Sequence, residues 1–258
     1  MTPSAIDAAA QHLIAARRNG RPGPRLPEFC RPATMDDALR VQRRVATLLA
    51  EPIGGWKCSL PTPERLTVAP IYAATIFSAS PCAVPLRNGN AVIEPEIAFV
   101  MGRDLPPRAT PYTEDEVRAA IGQTRLVLEL LGSRYADPAA ASIPEMVADS
   151  INDYGLYLGP VLDDPFTRAL ESFPVTISGP GGTLLARDGR HGDGHPLRPL
   201  VWLANWLGHN ETGWSGGLAA GQIVTTGSYA GMLEVPVATP LSVAFGDLGI
   251  LTAEFHSV

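Results

Sequence analysis

The sequence predicts an α+β protein, with a helical and extended N-terminal region over residues 1–85 and a β-rich domain over 86–258. Three observations predict it. Apolar residues recur at helical spacing in two stretches before residue 50. Glycine and proline number 25 each in 258 residues, which argues for many short elements joined by turns and against a helical bundle. Beyond residue 90 most segments alternate apolar and polar residues, the period of a strand. With 45% hydrophobic and 18% charged residues, a sizeable core is expected and disorder is not.

The first helix is expected over Ser4–Arg18, where Ile6, Ala9, Ala10, Leu13 and Ile14 share a face and Asn19-Gly20 ends it. A second follows Thr34 and Asp37 as cap residues, with Ala38, Val41, Val45, Leu48 and Leu49 on one face. Gln42 shares that face, either as a satisfied buried amide or as a polar group reaching a pocket. "GGWKCSL" reads as a short strand. "PTPERLTVAPIYAATIFSASPCAVP", with five prolines, reads as loop. "VIEPEIAFV" is a strand, and Thr113 to Glu116 is a capping box for a short helix. "RLVLELLGSRY" and "YGLYLGPVL" are strands, and "FPVTISGPGGTLLARDG" is a hairpin about its Gly-Pro-Gly-Gly turn. "PLRPLVWLANWL" is helical, and "GQIVTTGSYAGML", "LSVAFGDLG" and "ILTAEFHSV" close the chain as strands.

The net charge is −6, and the only basic pairs, Arg17-Arg18 and Arg43-Arg44, fall on helix faces. A nucleic-acid surface is therefore not expected. No apolar run approaches ~20 residues, so no membrane span is expected. Three cysteines without a C-x-x-C pair, and no signal pattern at the N-terminus, are what a cytoplasmic protein in a reducing compartment would show. "HGDGH", His191 to His195, reads as a solvated glycine-rich loop. "SGPGGT" lacks the Lys-Ser/Thr of a phosphate loop.

The carboxylates are harder to place. Glu94 and Glu96 lie two apart on a strand and so share a face. Like charges at ~4 Å cost roughly 1 kcal/mol in water and about 4 kcal/mol near a protein surface. Glu129 is a lone charge in an apolar run, and a buried carboxylate is costly unless paired or metal-bound. Neither stretch offers a cation of its own. A divalent cation would resolve all three, and oxygen-only ligands suit Mg²⁺, Mn²⁺ or Ca²⁺ rather than Zn²⁺. The other reading is an edge strand with outward glutamates, helped by Pro95.

"GGWKCSL", "EPEIAFVMGRDLP", "LELLGSR" and "GQIVTTGSYAGMLEV", in that order, resemble the hydratase/decarboxylase branch of the fumarylacetoacetate hydrolase superfamily. "LIAARRNGRP", "DALRVQRRV" and "WLANWL" sit where that family has similar segments, so the resemblance covers nearly the whole chain. It implies a mixed β-sandwich roll with an N-terminal helical region. It implies a Mg²⁺ or Mn²⁺ site on Glu94, Glu96 and Glu129, and Lys57 beside a 2-keto acid. It implies Thr226, Gly227, Ser228 and Asp153 as substrate-binding residues, Asp153 by the looser match. On the residues alone, Lys57 could equally be a solvent-facing strand lysine, and "TTGS" a plain turn.

The implied activity is that of a metal-dependent lyase, decarboxylase or hydratase, on a short unsaturated 2-keto acid of aromatic catabolism. A homo-oligomer is implied too, one that could pair with a related pathway enzyme. One departure stands out. Family hydratases carry an acid in a Val-Asp-x-Pro-like stretch, where this chain has "LTVAP" with Val68 and Ala69; Glu64 is the nearest acid in sequence. Two alternatives follow. One is a C–C hydrolase of the acylpyruvate type, weakened because His12 is the only histidine before residue 190. The other is a non-catalytic subunit.

Overall fold

The computed structural model describes residues 1–63, 65–163, 165–209, 213–214 and 216–258; Glu64 lies outside the described residues. The chain opens with helices α1 (Pro3–Asn19) and α2 (Met35–Leu49). Thr2 and Thr34 cap them, each side chain accepting a backbone N–H of the first turn. Gly20, at φ 63°, ends α1 as the sequence predicts.

Strands β1 (Ile53–Cys58), β2 (Val68–Tyr72), β3 (Ile76–Phe77), β4 (Cys82–Val84) and β5 (Leu86–Arg87) follow. The proline-rich stretch read as loop thus holds three strands. Pro70 is tolerated because β2 is an edge strand. Strand β6 (Asn90–Met101), helix α3 (Glu114–Ala120) and strand β7 (Ile121–Leu131) come next. The Thr113/Glu116 capping box is formed. Helix α4 (Ile143–Ala148) was not anticipated, although Ser142 and Glu145 form a second capping box with Pro144 in the first turn. Strands β8 (Asp153–Val161), β9 (Ser172–Gly179) and β10 (Gly182–Arg190) lead to helix α5 (Leu197–Leu207). Strands β11 (Ile223–Thr225), β12 (Leu233–Val235), β13 (Leu241–Phe245), β14 (Ile250–Ala253) and β15 (Phe255–Ser257) complete the chain. No helix among the described residues is long and apolar enough to cross a membrane.

A nine-stranded mixed sheet organises the molecule, in the order β2-β1-β11-β6-β7-β8-β3, with β5 and β12 also on β6. It takes β1, β2 and β3 from the first 85 residues. The sheet curls, so that β2 from one end lies against β8 near the other. The predicted β9/β10 hairpin belongs to a second sheet, β10-β9-β13-β14, and β4 pairs in parallel with β15.

The register of the large sheet sorts its side chains. Trp56, Cys58, Ile93, Ile97, Phe99, Leu126, Leu128, Leu130 and Val224 enter the main core with the helices. Their neighbours along each strand face the inside of the curl, where Ile71, Ala98, Val127, Leu156 and Ile223 form a separate small cluster. Both faces are buried, which is why "RLVLELL" reads as a continuous apolar run. β1 reaches β11 only because residue 55 is glycine: a Cβ there would overlap the carbonyl oxygen of Ile223. Gln42 is a buried amide whose Nε2 donates to Val68 O (3.1 Å) and Val147 O (2.9 Å), tying α2 to β2 and α4, while its Oε1 has no hydrogen-bond partner among the described residues.

The connection from β7 to β8 is fixed by a buried ion pair. Arg134 and Asp149 are 5% and 2% exposed, and their side chains are bonded. Arg134 also donates to Gly132 O (2.7 Å) and Asp153 O (2.6 Å). This clamp precedes three successive non-glycine residues with left-handed backbone: Ser150 (φ 57°), Ile151 (φ 55°) and Asn152 (φ 59°). Each costs of order 1–3 kcal/mol unless its surroundings over-determine it. Removing one partner of such a pair strands a buried charge, at a cost of about 3–5 kcal/mol. Asp149→Asn should therefore lower the unfolding free energy by about that amount in urea titration. A loss below ~1 kcal/mol would show that the pair does not hold the connection.

Candidate active site

Glu94 on β6 and Glu129 on β7 are direct cross-strand partners, and Glu96 lies two residues along β6 on the same face. One oxygen from each of the three carboxylates lies within 4.8 Å of the others. Glu96 and Glu129 are each 1% exposed and Glu94 is half-buried. The edge-strand reading fails, because β6 is interior to the sheet. Pro95 is accommodated because it falls in the gap between the residues of β6 paired to β11 (98–100) and to β12 (91–93). There Tyr229 N–H donates to Pro95 O (3.0 Å).

The missing cation arrives from β1. Trp56 and Cys58 point into the main core, so Lys57 points into the curl. Its Nζ is paired with Glu129 Oε1 and donates to Ile151 O (3.3 Å), which the left-handed turn presents. Burial works against the charge on Lys57, but Glu129, Asp153 and Glu94 outweigh it and hold the ammonium above the ordinary lysine range. Thr225 Oγ1 and Gly227 N (3.0 Å) donate to Glu96 Oε2. Even so, burial first and Glu94 second push Glu96 up to about 7.

A cavity of about 700 Å³ opens over this cluster. Lys57, Glu94, Glu96 and Glu129 line it, as do Thr226, Gly227 and Ser228 from the loop after β11. Asp153 is buried but does not line the cavity, and neither carboxylate oxygen has a hydrogen-bond partner among the described residues. Burial, against the pull of Lys57, pushes it up to about 6. The region expected to carry an acid is also located: Ala69 on β2 is the register partner of Lys57 and fully buried, so the neighbouring position holds only a methyl group.

The "HGDGH" loop is not the solvated loop the sequence suggests. His191 is 2% exposed and lines the cavity with Gly192 and Asp193. Its Nδ1 accepts Asp193 N–H (3.2 Å), which makes Nε2–H the donor to Thr226 O (3.0 Å). Burial lowers its pKa and keeps the ring neutral. No local pattern reveals this, because the partner is 35 residues away. Ile143, Met146 and Val147 of α4 give the cavity an apolar wall, which the Ser142-x-x-Glu145 signal could have located. Residues 213–217 have Gly-x-Ser-x-Gly spacing, as in a nucleophile elbow. Ser215 lies outside the described residues, and its neighbour Trp214 packs on Trp56, on the opposite face of β1 from Lys57.

The donor set fits a hard divalent ion. Three converging carboxylates and one ammonium leave an excess of negative charge in a buried place, and every candidate ligand atom is oxygen.

The fold resembles that of solved proteins of the fumarylacetoacetate hydrolase family. A fumarylacetoacetate hydrolase family protein from Yersinia pestis CO92 superposes with a TM-score of 0.55 at 17% identity, over 80% of this chain and 93% of its own. The 4-oxalocrotonate decarboxylase of Pseudomonas putida G7, solved with calcium and acetate and with magnesium and adipate, superposes with a TM-score of 0.78 at 22% identity, over 99% of both chains. In sequence, the chain is 28% identical over 270 residues to a 2-keto-4-pentenoate hydratase of Paraburkholderia xenovorans (strain LB400), covering 100% of this chain and 97% of that protein. No family model matches the chain.

The Glu96 shift has a measurable sign. Its ordinary value of 4.5 rises to about 7 on folding, so across that window the native state holds a proton that the unfolded chain does not. Stability of the metal-free protein should therefore fall as pH rises through the window. A divalent ion needs the ionised carboxylate, so it competes with that proton. The rise in melting temperature on adding MgCl₂ should be larger at pH 8 than at pH 6, by at least ~2 °C. Equal shifts at both pH values would mean that Glu96 carries no such proton.

Proposed function

We propose that this chain is a divalent-metal-dependent lyase, a hydratase or decarboxylase, acting on a short unsaturated 2-keto acid or its dienol, with Mg²⁺ or Mn²⁺ as cofactor. One observation carries the reading: three distant glutamates and Lys57 converge on a single cavity large enough for such a substrate. The names of the relatives support the substrate class.

The residues divide the work. Glu94, Glu96 and Glu129 hold the ion, which when bound supplies positive charge to a chelating 2-keto acid. Lys57 is the permanent cation. It balances Glu129 in the resting site and faces the substrate's carboxylate or the oxygen on which negative charge grows. Asp153, buried without a hydrogen bond, helps to keep Lys57 charged, in place of the direct substrate contact expected of it. Thr226, Gly227 and Ser228 offer hydroxyl and N–H donors to a carboxylate. The apolar wall from α4 suits the hydrocarbon part and limits water. Cytoplasmic location, a homo-oligomer and association with a related pathway enzyme complete the reading.

One observation favours a second reading, a non-catalytic subunit: no acid stands at Val68 or Ala69, where one was expected nearby, and Ala69 is the residue beside Lys57. Calorimetry with Mg²⁺ and oxalate separates the two, since a folded protein that binds neither has no lyase site.

The purified protein with Mg²⁺ should consume 2-hydroxypenta-2,4-dienoate or 2-hydroxymuconate, followed by loss of dienol absorbance and by CO₂ release. Glu96→Gln and Lys57→Met should each lower kcat/KM by at least ~10²-fold while leaving the circular dichroism spectrum unchanged. Retained turnover in Glu96→Gln would sink the assignment.

A further inference from the structure

Adding water across a carbon–carbon double bond calls for a base that takes a proton from water and a donor that delivers one to carbon, and a single group can do both. Among the described residues, the titratable groups lining the cavity are few: Lys57, Cys58, Arg65, the three glutamates, His191 and Asp193. Most are committed elsewhere. The glutamates form the carboxylate cluster, and Lys57 is held as an ammonium. Arg65 cannot give up its proton, and its Nε donates to Thr67 Oγ1 (2.8 Å). The Cys58 thiol donates to Pro199 O (3.5 Å), and burial pushes its pKa well up. Both ring nitrogens of His191 are occupied by backbone groups.

Asp193 is different. It is half-buried at the cavity wall, in a loop anchored on every side. His191 N–H donates to Glu171 O (2.8 Å), Gly194 N–H to His191 O (3.1 Å), and Arg198 to Asp193 O (2.7 Å). Its Oδ2 accepts Leu60 N–H (2.9 Å), three residues beyond Lys57, which fixes the carboxylate against the end of β1. Its Oδ1 has no hydrogen-bond partner among the described residues. A rigidly held carboxylate with one free oxygen, in the same cavity as Lys57, is the geometry of a proton carrier.

We propose that Asp193 is the base that activates water for addition to the substrate, which makes hydration of a 2-keto-3-enoate the reaction of this cavity. The proposal rests on the lyase reading above. Asp193 takes a proton from water as the water oxygen bonds to C4. The C3=C4 electron pair shifts to C2–C3, and the keto oxygen takes the negative charge. The proton then passes from Asp193 to C3, the ketone re-forms, and the carboxylate is restored. Decarboxylation has no such step and leaves Asp193 idle.

The test compares the wild-type protein with Asp193→Asn and Asp193→Glu, all with Mg²⁺. Asparagine can still accept Leu60 N–H, so the loop is kept. Three measurements are made: hydration of 2-hydroxypenta-2,4-dienoate, exchange of the C3 protons of 4-hydroxy-2-ketopentanoate into D₂O by NMR, and oxalate binding by calorimetry. Asp193→Asn is expected to lose at least ~10²-fold in hydration and in C3 exchange. Its oxalate affinity should stay within about twofold of wild type, and Asp193→Glu should recover part of the rate. Hydration by Asp193→Asn within about threefold of wild type would overturn the role of Asp193 and leave the lyase reading standing. Loss of oxalate binding in Asp193→Asn would also overturn it, by showing that the residue acts in binding. A wild-type protein that neither turns over the dienol nor binds Mg²⁺ and oxalate would remove both proposals.

Discussion

Like charge confined in a buried place is the constraint on which this molecule depends. Glu94, Glu96 and Glu129 share one face of a sheet, the last two almost fully buried and the first half-buried. Left alone, such a cluster would be resolved by protonation or unfolding. The chain balances it in three ways. Lys57 is brought across from β1 to Glu129. Thr225 and Gly227 donate to Glu96. The remaining excess is what a hard cation would neutralise. Much of the surrounding architecture makes these contacts reachable. Gly55 lets β1 approach β11, Pro95 frees the edge of β6 for the 226–229 loop, and the left-handed turn at Ser150–Asn152 offers Ile151 O to Lys57.

The curl of the sheet makes such an interior available. A flat sheet would expose one of its faces, whereas here both are covered. One carries the main core, and the other carries a small apolar cluster with the polar site beside it. Strand alternation then decides function residue by residue. Trp56 and Cys58 stabilise the fold, and Lys57 between them serves the cavity. The Arg134–Asp149 clamp extends the same logic to the far wall. It holds the β7–β8 connection in a backbone conformation that would otherwise relax, and it is from that connection that α4 and Ile151 meet the cavity.

Several parts were legible because their cause is local. Helix caps at Thr34 and Thr113 depend on residues three apart. The shared face of Glu94 and Glu96 follows from period two. Other parts misled for equally physical reasons. Prolines at 61, 63, 70, 81 and 85 outvoted the short strands between them, which form through pairing with distant partners. Glycines made the "HGDGH" segment look solvated, but His191 is buried through a bond to Thr226 that no nearby residue foretells.

The amino-acid sequence by itself determined the α+β class, the order of most elements, and the presence of three carboxylates that needed a common explanation. These follow from local periodicity and from the cost of isolated buried charge, both of which a linear chain displays. Only the tertiary structure decided that Lys57 rather than a nearer cation answers Glu129, that Asp153 lies off the cavity wall, and that Asp193 lies on it. Those outcomes depend on which strands become neighbours and which face turns inward, and contacts between residues 72 to 168 positions apart are set by packing rather than by sequence proximity.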